Sequence, residues 1–176
     1  MTDTKRVKLH RRGAYLDGRG ATLLTLRSSS PERFATRFVD GSWHILTDPA
    51  GVELLGQLCW AMAFQQRPGT IVLIDLPFLT PNPFDSDPSS PIAIVNSDLG
   101  TLTETALGEL AAMLPLETPS EGTVRLLTRG LDHAADAVVT FRPEDWINRI
   151  GGIVVFAAPP SALRLWALDL LGRLPA

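Results

Sequence analysis

Over the first 47 positions apolar and polar residues alternate in short runs; after that, short apolar runs are interleaved with helical periodicities. Residues 5–10 put Val7 and Leu9 on one side and Arg6, Lys8 and His10 on the other, the period of two of a half-buried strand. Residues 21–26, 34–39 and 43–47 read the same way. Asp40-Gly41 between two alternating runs predicts a tight hairpin, because both residues tolerate a positive φ, and Asp17-Gly18-Arg19-Gly20 marks another turn. The pattern predicts an N-terminal antiparallel β-meander over residues 1–47.

From residue 48 onward strands and helices alternate. Helices are expected over 52–66, 103–114, 143–150 and 160–174, and strands over 71–76, 92–96, 124–128, 137–141 and 153–157. The whole reads as one α/β domain over 1–176, in which the meander runs into a mainly parallel, helix-covered sheet. The first and last helices are apolar almost all round. Such a helix is buried from several sides, and in a chain this small the extra side suggests a protein partner or a second copy. Trp60, Phe64, Leu163, Trp166 and Leu170 are the residues expected at that interface.

Composition narrows the setting. Of the residues, 20% are charged, somewhat below the usual share for soluble domains, which also points to covered surface. The single cysteine, Cys59, excludes a disulfide framework and a cysteine zinc site, and a reducing cytoplasm fits. The N-terminus has no apolar signal core, and no run has the length of a membrane span. Net charge is −3 but uneven: residues 1–39 sum to +6, leaving −9 for the rest. Lys5, Arg6, Lys8, Arg11 and Arg12 form a basic arm able to grip a nucleic-acid backbone, with no interleaved aromatics beyond Tyr15 for stacking on bases.

Candidate chemistry gathers where the strands end. Ligands of open α/β sheets bind outside the strand carboxyl ends, which carry Asp75, Asp98, Asp132 and His133. If all the strands run the same way, Asp75 and Asp98 share a rim and hold a magnesium ion, with Asp132 as a further ligand or base and His133 as acid-base, the outline of a metal-assisted hydrolase or transferase. The proline-rich loop 77–90, with Asp85-Ser86-Asp87, lies between the first two and is the expected ligand seat. Its fourteen residues are just enough for a parallel crossover, and an antiparallel return would send Asp98 to the opposite edge.

Residues 71–75 resemble the metal-associated strand of P-loop nucleotide hydrolases, an apolar run ending in Asp. No Gly-Lys pair occurs anywhere, however, so a working phosphate loop is excluded. The dinucleotide fingerprint and the esterase elbow are also missing. Ser97, Asp132 and His133 supply the residue types of a nucleophile relay without its spacing. With no assembled catalytic motif, the sequence favours a non-catalytic interaction protein and requires no cofactor.

Overall fold

The computed structural model describes residues 7–100, 102–117, 119–126, 128 and 147–172. Among these residues nine strands and three helices form a seven-stranded mixed sheet, a separate two-stranded sheet and helical cover on both faces of the larger one. In chain order the strands are β1 (Val7–Leu16), β2 (Arg19–Leu26), β3 (Phe34–Val39), β4 (Ser42–Thr47), β5 (Thr70–Ile74), β6 (Ile92–Asn96), β7 (Gly122–Leu126), β8 (Ile147–Ile150) and β9 (Ile153–Ala158). The helices are α1 (Pro49–Ala63), α2 (Glu104–Ala112) and α3 (Pro160–Leu170). Among them none is long and apolar enough to cross a membrane.

The large sheet runs β7-β1-β2-β5-β6-β9-β8. Pairing is parallel between β2 and β5 and between β6 and β9, and antiparallel at the other four junctions. All five residues of β5 and of β6 are buried, as strands covered on both faces must be. The N-terminal strands are antiparallel and form two hairpins in different sheets. Each turns on an Asp-Gly pair with positive φ, Asp17 (50°) and Gly18 (69°) in one, Asp40 (51°) and Gly41 (79°) in the other. After the first hairpin β2 pairs with β5, so the expected continuous meander is split by the departure of β3 and β4.

Asp48 does more than stop β4. Its side chain accepts from the Gly51 amide at 2.8 Å, and Pro49 occupies the first turn, so α1 begins three residues earlier than its periodicity suggested. Thr103 caps α2 in the same way through the Ala106 amide. The expected helix over 143–150 is corrected where it is described: Ile147–Ile150 is a strand, joined to β9 through Gly151 (φ 59°) and Gly152 (φ 87°). The Ile150-Gly-Gly-Ile153 run is a two-residue hairpin signal, and the spacing of Trp146, Ile147 and Ile150 hid it. The expected strand over 137–141 lies outside the described residues.

Two apolar layers sandwich the sheet. One face packs α1, α3 and the β3-β4 hairpin against Leu9, Leu24, Val72, Ile74, Ile92 and Ile94. The other packs α2 against Leu23, Ile71, Leu73, Ala93, Val95 and Val155. Helices α1 and α3 cross closely: a Cβ added at Gly56 would stand 2.9 Å from Leu171 Cγ and 3.3 Å from the Ala167 carbonyl oxygen. Each helix thus supplies one of the extra covers that their all-round apolar pattern demanded.

Candidate functional site

The expected acidic rim does not form between Asp75 and Asp98. The β5-β6 pair is antiparallel, with Val72 opposite Ile94 and Ile74 opposite Ile92, so the two aspartates leave the sheet at opposite ends, with the whole five-residue length of β6, roughly 17 Å, between them. Loop 77–90 contains no crossover helix; after a single 3-10 turn over Leu76–Phe78 it returns beside its own strand.

Each carboxylate has a backbone role. Asp75, 6% exposed, accepts from the Leu76 amide at 2.6 Å and the Leu116 amide at 3.0 Å, which pins the segment after α2 to the end of β5. Asp98 is exposed in a 3-10 turn, and its amide donates to Asn96 Oδ1. Asn96 is buried, and its Nδ2 donates to the Met62 carbonyl at 3.1 Å, tying the end of α1 to β6. Among the described residues no three His, Cys, Asp or Glu side chains are grouped to hold a metal, so magnesium has no site on Asp75 and Asp98 together. Asp132 and His133 lie outside the described residues.

The proline loop, the expected ligand seat, is a strap. The Asn82 amide donates to the Asp87 carbonyl and the Ser86 amide to the Asn82 carbonyl. Asp85 accepts from Asn82 Nδ2 and from the Asp87 amide. From this knot the loop reaches the small sheet. The Thr80 amide donates to the Phe34 carbonyl, the Thr36 amide to Ser89 Oγ at 3.0 Å, and the Ser90 amide to Thr36 Oγ1 at 2.8 Å. Arg149 Nε extends the seam from β8 to Ser90 Oγ at 3.0 Å. Thr36→Val leaves the buried Ser90 amide without an acceptor, and urea unfolding is expected to show a loss of about 1–3 kcal/mol, with Thr36→Ser losing less.

The residues expected at a partner interface fare differently from one another. Trp60, Leu163 and Trp166 are buried within the chain itself. Leu170 is partly buried against the same core. Phe64 alone is largely exposed, at 54%, and it sits 5.3 Å from the Trp60 ring with the Arg164 guanidinium 5.8 Å from its own ring centre. The basic arm is also divided. Strand alternation sends Lys8 and Arg12 to the α2 side of the sheet and Arg11 to the other, while Lys5 and Arg6 lie outside the described residues.

What the fold does build is an apolar cleft of about 460 Å³. Its floor is Ile94 of β6 and Phe156 of β9, one wall is Val52, Leu55 and Cys59 of α1, another is Trp166 and Leu170 of α3, and Trp43 and Ile45 of β4 close it opposite, beside Ile147. Phe156 and Trp166 meet edge to face, with ring centres 4.3 Å apart. Phe38 and Trp43 meet at a tilt on the β4 side, with ring centres 5.3 Å apart. The polar groups lining the cleft are few, Ser42, His44, Thr47 and Asp169. The sequence pattern marks Trp166 as an interface residue but has no means of joining six separate elements around one space.

Cys59 contributes an inert lining. Burial pushes its thiol up to about 12, and only the thiolate attacks electrophiles. Folded protein at pH 8 should therefore resist a thiol-specific reagent and react at once in denaturant; full labelling of the native chain within mixing time would contradict this. Because the folded value lies above the unfolded one, Cys59 lends its full stabilisation below about pH 8.5 and loses it as pH rises towards 12.

Comparison with known proteins adds no identity: no family model, curated protein or solved structure matches the chain.

Proposed function

We propose that this is a non-catalytic binding protein whose recognition site is the cleft between β4, α1, α3 and the β6-β9 floor, and that its ligand is a small molecule with an apolar, partly aromatic body. The observation carrying this reading is the cleft itself. A volume of about 460 Å³ with a mostly apolar and aromatic lining and a few polar groups matches the usual make-up of small-molecule sites. Burial of Trp60, Leu163 and Trp166 within the chain, and the separation of Asp75 from Asp98, favour this reading over self-assembly through those residues and over metal-assisted chemistry on that pair. A reducing cytoplasm is the compartment this reading expects for a chain whose one cysteine is a buried thiol.

The test is a titration with N-phenylnaphthylamine, an uncharged apolar dye that brightens when removed from water. Saturable binding near one dye per chain is expected, and Val52→Trp, which fills the cleft from the half-buried Val52 position, should weaken it at least about tenfold. Phe64→Ser, outside the lining, should leave it unchanged. An absence of saturable binding, or equal binding by Val52→Trp, would refute the reading.

A further inference from the structure

On the α2 side of the sheet, away from the cleft, the three strands β7, β1 and β2 carry a row of like charges. Lys8 and Arg125 are direct cross-strand partners. On the other flank Leu9 pairs with Leu26, which brings Arg27 level with Lys8. Arg125, Lys8 and Arg27 thus line up across three strands, spanning about 10 Å at the usual strand spacing. Arg12 stands on the same face, two positions of alternation along β1, and its Nε reaches Thr25 Oγ1 at 3.4 Å. His10 lies between, opposite Thr123 and Thr25.

Like charges placed directly opposite each other cost stability unless something neutralises them. The side chains of Lys8, Arg27 and Arg125 make no hydrogen bond or ion pair among the described residues. The nearest carboxylate in register, Asp75, lies two residues past the Thr25-Leu73 pair, and its oxygens are engaged by the Leu76 and Leu116 amides. Glu121 sits against Gly13, on the opposite face of β1. Helix α2 is moored at the far end of β1, where the Asp17 amide donates to Glu109 and Thr103 Oγ1 donates to Asp17, so it does not cover the Lys8 end. Lys8, Thr123 and Arg125 are exposed.

His10 reports the same field. Its pKa is lowered by burial first and then by Arg12 and Arg27, and its Nδ1 is a buried polar atom with no partner among the described residues.

We infer that this face is a docking surface for the phosphate backbone of nucleic acid. The cations stand on the sheet face and across the strands, where a polyanion can lie over them; an acidic peptide adding to the free edge of β7 would be held by main-chain bonds at that edge and would leave Lys8 and Arg27 unused. Three of the four cations are arginines, whose forked donors suit phosphate oxygens. No exposed aromatic shares the face among the described residues, Tyr15 falling on the other side by alternation, so the contact is to the backbone and insensitive to base sequence. The surface is independent of the cleft.

The test is fluorescence anisotropy of the full chain with a labelled mixed-sequence duplex across a salt series. A net charge of −3 repels polyanions, so binding has to come from a local patch. Neutralising three to four phosphates gives a slope of log K against log salt of about −3 to −4. Lys8→Gln and Arg125→Gln, both at exposed positions, should each flatten the slope by about 1, whereas Arg67→Gln, outside the row, should not. No binding at low salt, a slope near zero, or unchanged slopes in both row variants would overturn the inference. Equal affinity for polyglutamate would overturn the choice of phosphate.

Discussion

Trp166→Ala is expected to destabilise the protein by about 3–5 kcal/mol and to abolish dye binding together with it. The indole is 5% exposed, packs on Phe156, and belongs both to the core layer that holds α3 on the sheet and to one wall of the cleft. Its removal leaves a void between α1, α3 and the sheet that close-packed neighbours fill only in part. Chemical denaturation read by circular dichroism measures the loss directly, and Trp166→Phe, which keeps a ring against Phe156, should recover part of it. A loss below about 1 kcal/mol would mean that α3 contributes far less to the core than its burial indicates.

The second large effect is expected at Gly56. Helices α1 and α3 approach so closely there that a side chain would meet Leu171 and the Ala167 carbonyl. Gly56→Leu must push the helices apart or strain both, at a cost of about 1–3 kcal/mol or more, whereas at an exposed helical position the same exchange would gain close to 1 kcal/mol from helix propensity. The sign of the effect is therefore diagnostic. A stabilised Gly56→Leu would show that the two helices do not cover each other and would return their apolar faces to the role of an interface between chains.

Legibility of the fold followed the range of the interactions that decide it. Both Asp-Gly hairpins could be read because two residues fix the turn. The buried strands β5, β6 and β9 could be read from unbroken apolar runs. The direction of β6 could not, since a fourteen-residue connection permits either sense, and the loop that makes the return is held by bonds that Thr80 and Ser90 donate to Phe34 and Thr36, residues more than forty positions away. Strand β8 was misread although Gly151-Gly152 carried the signal, because a four-residue strand shows too little alternation to outweigh one helical spacing.

The site was less legible still. Aspartates at strand ends drew attention because such positions often bind ligands, yet Asp75 serves as a turn cap, and the amides it engages come partly from Leu116, forty-one residues on. The all-round apolar helices correctly implied an additional covering layer. That layer is found within the chain, in the contact of α1 with α3 and in the β3-β4 hairpin that packs on the same face of the sheet. The cleft is what remains where these covers fail to meet, and no local pattern encodes such a gap.

The most direct measurement is a methyl-resolved NMR titration with N-phenylnaphthylamine. Saturable shifts confined to Ile45, Val52, Leu55, Ile94 and Ile147, with Leu107 and Leu110 of α2 unmoved, are predicted for a ligand seated between β4, α1, α3 and the sheet. Shifts centred on the α2 layer, or none in the cleft methyls at dye saturation, would contradict the account.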